Sequence, residues 1–130
     1  MFINNLTSVQ QGRFLELAET LIAADGFVDE REASMLKTLS AMCNMHADSG
    51  EVGRGKDLAA VFDDRKSQVS LLLELIGIAY ADESYDEKEK SMIGEVASAL
   101  DVPDVLMEDL ESWVYRQMIL TKEAQIFMEE

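Results

Sequence analysis

Six carboxylates recur in one fixed pattern. Asp25, Asp29 and Glu32 lie in the stretch ADGFVDEREASM (residues 24–35), and Asp82, Asp86 and Glu89 lie in ADESYDEKEKSM (residues 81–92). The two stretches are 57 positions apart and align without a gap. Ala24/Ala81, Asp25/Asp82, Asp29/Asp86, Glu30/Glu87, Glu32/Glu89, Ser34/Ser91 and Met35/Met92 are identical, and Arg31/Lys88 and Leu36/Ile93 are conservative. Carboxylates brought together by such a repeat repel one another unless a cation or protons intervene. An all-oxygen donor set suits a hard divalent ion, Ca²⁺, Mg²⁺ or Mn²⁺, better than Zn²⁺.

Helix formation accounts for part of the same pattern. Asp29 with Glu32, and Asp86 with Glu89, have the spacing of a capping box, in which each side chain accepts from the other's backbone N–H. Acids also favour a helix N-terminus through the dipole. Gly26 can take a positive φ and close the preceding helix as a structural turn. Asp25 and Asp82 do not fit that account. Each is expected at the C-terminal end of a helix, where a negative charge is unfavourable by roughly 0.3–1 kcal/mol. A bound cation would offset that cost, so Asp25, Asp29, Glu32, Asp82, Asp86 and Glu89 form the candidate metal set.

Other chemistries find less support. In EF-hand register, Asp82, Ser84 and Asp86 fill positions one, three and five, but Glu87 stands where glycine is needed and Ile93 where glutamate is needed. The first copy has Phe27 and Leu36 at positions three and twelve. Cys43 and His46 are three apart, and two ligands without a second pair do not make a zinc site. The single histidine leaves no nucleophile–base–acid triad, and SGEVGRG lacks the spacing and the Lys-Ser/Thr ending of a phosphate loop. No catalytic residue is assigned, and a non-catalytic role is expected.

The elements that must position these acids are helical. Phe14, Leu15, Leu17, Ala18, Leu21 and Ile22 repeat at threes and fours, which predicts a helix over 7–24 capped by Thr7 or Ser8. A second helix is expected over 30–45, and a loop over 46–56, which holds three of the seven glycines. Further helices are expected over 58–63, 67–81, 87–100 and 104–117, with Pro103 in the first turn of the last. Residues 122–128 either continue that helix or follow a break at Thr121. Trp113 is expected in the core, and Tyr115 in the core or at the edge of an interaction surface. No strand is needed. The fold class is all-α: a compact bundle of about six to seven helices in one domain over 1–130, built from a duplicated helix–turn–helix with pseudo-two-fold symmetry. The half-repeats span about 7–45 and 67–100.

Composition restricts the partners. The chain of 130 residues carries 26 acidic and 11 basic side chains, a net charge of −15. This argues against binding nucleic acid, which requires a basic surface. One cysteine permits no internal disulfide. The opening MFINNLTSVQQGRF has no signal-peptide pattern, and the apolar run LLLELIGIAYA is too short to span a bilayer. A cytoplasmic protein without membrane insertion is expected.

The phrases AADGFVDEREASML and AYADESYDEKEKSMI, each ending one helix and opening the next, resemble the signature of the TerB-like tellurite-resistance family. A similar domain occurs in a membrane-anchored DnaJ-type co-chaperone. The resemblance covers roughly residues 10–115. It implies a bundle of about seven helices with an acidic, metal-associated patch, which falls on Asp25, Asp29, Glu32, Asp82, Asp86 and Glu89. It also implies a role in stress responses or protein assemblies, through a protein partner. Glu83 departs from the pattern, which prefers glycine there. The expectation is a small non-catalytic module that binds a divalent cation. The alternative is a metal-independent acidic binding protein, resembling an immunity protein or a DNA mimic, that neutralises a basic partner.

Overall fold

The computed structural model describes residues 2–23, 33–35, 37–38, 41, 57–81 and 85–129. Every element among them is helical. A 3-10 helix, Ile3–Asn5, precedes α1 (Ser8–Ile22). After residue 57 come α2 (Leu58–Val61), α3 (Arg65–Ala81), α4 (Glu87–Ala99) and α5 (Asp104–Met128). Residues 33–35, 37–38 and 41 are helical and fall within the helix expected over 30–45. The expected loop at 46–56 and the first acidic phrase apart from Ala33, Ser34 and Met35 lie outside the described residues. The fold is all-α, as the periodicity predicts.

α3 is the central element. Leu71, Leu72, Leu75, Ile76 and Ala79 have no exposed surface, and Ser67, Ser70 and Ile78 are buried as well, so burial extends around more than half of the helix, as a largely enclosed helix requires. α1, α4, α5 and the 3-10 helix all pack against it. α1 contributes the stripe read from the sequence, with Phe14, Leu15, Leu17, Ala18, Leu21 and Ile22 all buried. Ile93 from α4 and Met107, Leu110 and Val114 from α5 complete the core, and Met35 and Met92 pack against its edge.

Side-chain caps set where four of the helices begin. Thr7 Oγ1 accepts from Gln10 N at 3.2 Å, and Gln10 Oε1 accepts from Thr7 N at 2.9 Å, a complete capping box for α1. Asp57 caps α2 through Ala60 N. Asp64 Oδ1 accepts from Ser67 N at 2.8 Å, which starts α3 two residues before the position expected from apolar spacing. Asp86 caps α4. Three of these four caps are aspartates, so part of the acidic content serves the backbone donors of helix starts. α5 differs: Pro103 is its N-cap, with ψ 152°, rather than a residue of its first turn.

Buried amides join the elements. Gln11 Nε2 donates to the carbonyls of Ile3 and Leu6, both at 3.3 Å. Gln10 Nε2 donates to Val61 O at 2.9 Å, and Gln68 Nε2 to Phe62 O at 3.0 Å. Buried polar groups are tolerated when hydrogen-bonded in this way. The amino-terminal segment is tied to α3 by Phe2 N donating to Glu74 Oε1 at 2.5 Å and Asn5 Nδ2 donating to Ser70 Oγ at 3.1 Å.

At α5 one open alternative is decided and one expectation is corrected. The helix does not break at Thr121 but runs unbroken to Met128; Thr121 Oγ1 donates to Gln117 O at 2.9 Å and so remains within the helical pattern. Trp113 is not a core residue. It is 37% exposed, with its ring edge-on to Phe2 at 5.7 Å between centroids, because Met107, Leu110 and Val114 take the inward face of the helix. No helix among the described residues is long and apolar enough to cross a membrane.

Candidate functional site

The second acidic phrase forms the start of α4. Asp86 is exposed and Glu89 is buried. Asp86 Oδ1 accepts from Glu89 N at 2.9 Å, while Glu89 Oε1 accepts from Asp86 N at 3.3 Å. The capping box expected from their spacing is therefore present. Asp25, Gly26, Asp29, Glu32, Asp82 and Glu83 lie outside the described residues, so Asp86 and Glu89 are the two members of the six-carboxylate set whose geometry is described. Among the described residues, no group of three His, Cys, Asp or Glu side chains is placed to hold a metal ion.

Tyr85 stands immediately before the cap and organises the surroundings of the turn. Its ring lies 4.9 Å from that of Tyr80, centroid to centroid, and Tyr80 in turn lies 6.0 Å from Tyr115. Lys90 Nζ sits 5.5 Å from the Tyr85 centroid, within cation–π range. Tyr85 and Lys90 thus occupy the two positions of a staple across the helix start, with the lysine ammonium over the ring. Burial raises the Tyr85 phenol above its ordinary range, and the negative charge of Glu111, which also accepts its hydrogen bond, raises it further. Burial and Glu111 raise Tyr80 in the same direction. At neutral pH Tyr85 is therefore a hydrogen-bond donor and not a base.

Beside this cluster, a recess of about 400 Å³ opens between α4 and α5, with Tyr85, Lys90, Ser98, Asp104, Glu108 and Glu111 on its polar side and Ala97 and Met107 on its apolar side. Tyr85, Lys90 and Glu111 were not singled out by the sequence reading. A signal for one of them exists: Tyr85 aligns with Val28, an apolar residue before the cap in both copies, which is the staple position. Glu111 carries no such local signal, because it comes from a different helix. Chemically the arrangement offers oxygen donors, a protonated phenol and one ammonium group, a set suited to binding polar or cationic groups.

The capped acidic turn between packed helices defines the class: an all-α module whose second half carries an acidic helix start. Residues 55–111 match the family model described as tellurite resistance protein TerB. The matched segment, a little under half of the chain, contains the whole second phrase with Asp82, Asp86 and Glu89, and over it the chain is TerB-like. Neither the curated proteins nor the solved structures give a match to this chain.

Proposed function

We propose that this protein is a small, non-catalytic, TerB-like module of the cytoplasm that binds a divalent cation through its duplicated acidic turns. In this reading it acts in stress or tellurite resistance by presenting that surface to a protein partner. The observation that carries the reading is the coincidence of the TerB-like segment with the second copy of the repeated phrase. The donor chemistry agrees with it: Asp25, Asp29, Glu32, Asp82, Asp86 and Glu89 offer hard oxygen ligands only, which suit Ca²⁺, Mg²⁺ or Mn²⁺. Capping does not compete with ligation, because a carboxylate has two oxygens and the box uses one oxygen of each partner.

Thermal unfolding in EDTA, and then with millimolar Ca²⁺, Mg²⁺, Mn²⁺ or Zn²⁺, tests the proposal on wild type and on Asp25→Asn/Asp82→Asn. An ion present at 100 times its dissociation constant stabilises the native state by about 2.7 kcal/mol, a shift of several degrees for a chain of this size. A shift produced by one ion in wild type and lost in the double variant supports the proposal. No ion-specific shift overturns it, leaves the phrase as a pair of helix starts and directs attention to a basic protein partner.

A further inference from the structure

Eight large hydrophobic side chains are exposed among the described residues, and seven of them lie on one stretch of α5: Trp113, Tyr115, Ile119, Leu120, Ile126, Phe127 and Met128. The inward face of α5 ends its core packing at Val114, yet the helix runs on for a further 14 residues, to Met128, roughly 21 Å. Along its outward side, Ile119, Leu120, Ile126 and Phe127 recur at a seven-residue interval, with Phe127 84% exposed. An apolar stripe of this kind on a helix marks an interaction face.

Charge identifies the occupant. Residues 113–128 contain Arg116, Lys122 and Glu123 as their only charged side chains, a net charge of +1 in a chain of −15. Here two copies approach with the least repulsion. Arg116 and Glu123 are seven residues apart, on the same side as the apolar stripe and both exposed. They are about 10 Å from each other along the axis, too far to pair within one helix. Arg116 Nε donates to Ser112 O at 3.3 Å, which aligns the guanidinium along the helix surface. A helix carrying the same two residues in the reverse direction supplies each with an opposite charge at the right interval.

We propose that the outward face of the distal half of α5 docks a second copy of this chain, antiparallel and helix against helix. A two-fold axis crossing near Leu120 sets Arg116 against the partner's Glu123 and Glu123 against the partner's Arg116. Ile119 and Leu120 fill the layers between these pairs, and Ile126 and Phe127 lie beyond them, where they extend the apolar contact on either side. The antiparallel sense also opposes the two helix dipoles, whereas a parallel pair would set arginine against arginine. A strongly basic partner would find a single acid on the stripe. An anionic membrane favours helices rich in lysine and arginine, and this chain is acidic. The face is short, so the association falls at the small end of specific interfaces, and the dimer dissociates on dilution.

The test is sedimentation equilibrium of the full chain at protein concentrations up to about 1 mM, a range that reaches weak complexes. Far-UV circular dichroism and melting temperature confirm that each variant is folded. Wild type is expected to pass reversibly from monomer to dimer. Arg116→Glu alone and Glu123→Arg alone each place like charges together twice, because of the two-fold axis, and are expected to weaken the dimer at least about tenfold. The double variant Arg116→Glu/Glu123→Arg exchanges the partners and restores the wild-type constant to within about threefold. Leu120→Glu abolishes the dimer. A wild-type monomer at every concentration overturns the proposal. So do folded single variants that dimerise like wild type, and so does a double variant no better than the singles.

Discussion

Asp86 and Glu89 hold each other across the first turn of α4, each carboxylate accepting from the other's backbone N–H, at 2.9 Å for Asp86 Oδ1 and 3.3 Å for Glu89 Oε1. Two of the six repeated acids therefore have a defined structural use. This pairing separates two roles that the sequence pattern combines, since hydrogen-bond acceptance at a cap does not require charge, whereas attraction to a cation does.

That separation can be measured by comparing Asp86→Ala with Asp86→Asn without added ions. Alanine removes the acceptor and is expected to cost about 1 kcal/mol, a fall of about 3–5 °C in Tm. Asparagine keeps an acceptor and is expected to stay within a few tenths of a kcal/mol of wild type. Thr7→Ala, which breaks the equivalent box on α1, gives the scale for a cap of this type. An Asn variant as unstable as the Ala variant would show that the charge, not the hydrogen bond, stabilises the turn.

Phe62 and Phe127 make a contrasting pair. Phe62 lies between α2 and α3 with no exposed surface, and its carbonyl accepts from Gln68 Nε2. Phe62→Ala is expected to cost about 3–5 kcal/mol, read by urea denaturation. Phe127 is 84% exposed, so Phe127→Ala in dilute, monomeric protein is expected to change stability by less than about 0.5 kcal/mol. Equal costs would mean that the core boundary on α5 is misplaced.

Tyr85 predicts a loss of stability in alkali. Its folded pKa is raised by burial first and then by Glu111. A raised value means that the folded state holds its proton after the unfolded chain, near pH 10, has released it. The associated stability is complete below about pH 10 and falls as pH climbs toward the folded value. Tyr85→Phe has no such proton. Its Tm is expected to decline less steeply than that of wild type above about pH 10, although it starts lower at neutral pH because the hydrogen bond to Glu111 is lost. Parallel Tm profiles of the two proteins from pH 8 to 11 would contradict the assignment.

The legible parts of this fold are those written in short-range spacing. Thr7 with Gln10 and Asp86 with Glu89 are three apart, and an acceptor at that interval meets the N–H groups of a first turn without help from the rest of the chain. The stripe Phe14 to Ile22 is legible for the same reason. The place of Trp113 is not legible in the same way, because an aromatic at helical spacing satisfies two faces equally well, and only the packing of Met107, Leu110 and Val114 decides which turns inward. The run of α5 past Thr121 is not legible from spacing, because residues 119–128 have no glycine or proline to stop a helix and no core to hold one. Of the candidate site, the local box was visible, while Glu111 and the recess between α4 and α5 depend on a contact between distant segments.

The end of α4 supplies the last prediction. Asp101 has φ 56°, the left-handed conformation that non-glycine residues rarely adopt. It sits just past the helix, where Asp101 N donates to Ser98 O at 3.1 Å and Val102 N donates to Ala97 O at 2.9 Å, a Schellman closure. Glycine is the usual residue there because it has no Cβ to strain. The carboxylate of Asp101 also faces the negative end of the helix dipole, the same disadvantage that drew attention to Asp25 and Asp82, but at a position that is not repeated. Asp101→Gly removes both costs and loses some unfolded-state restriction, for a net gain of about 0.5–1 kcal/mol. It is expected to raise Tm by about 2–5 °C. Asp101→Asn removes the charge and keeps the strain, so it recovers part of that gain. If Asp101→Gly lowers Tm instead, the carboxylate makes a stabilising contact that outweighs both its backbone strain and its place on the dipole.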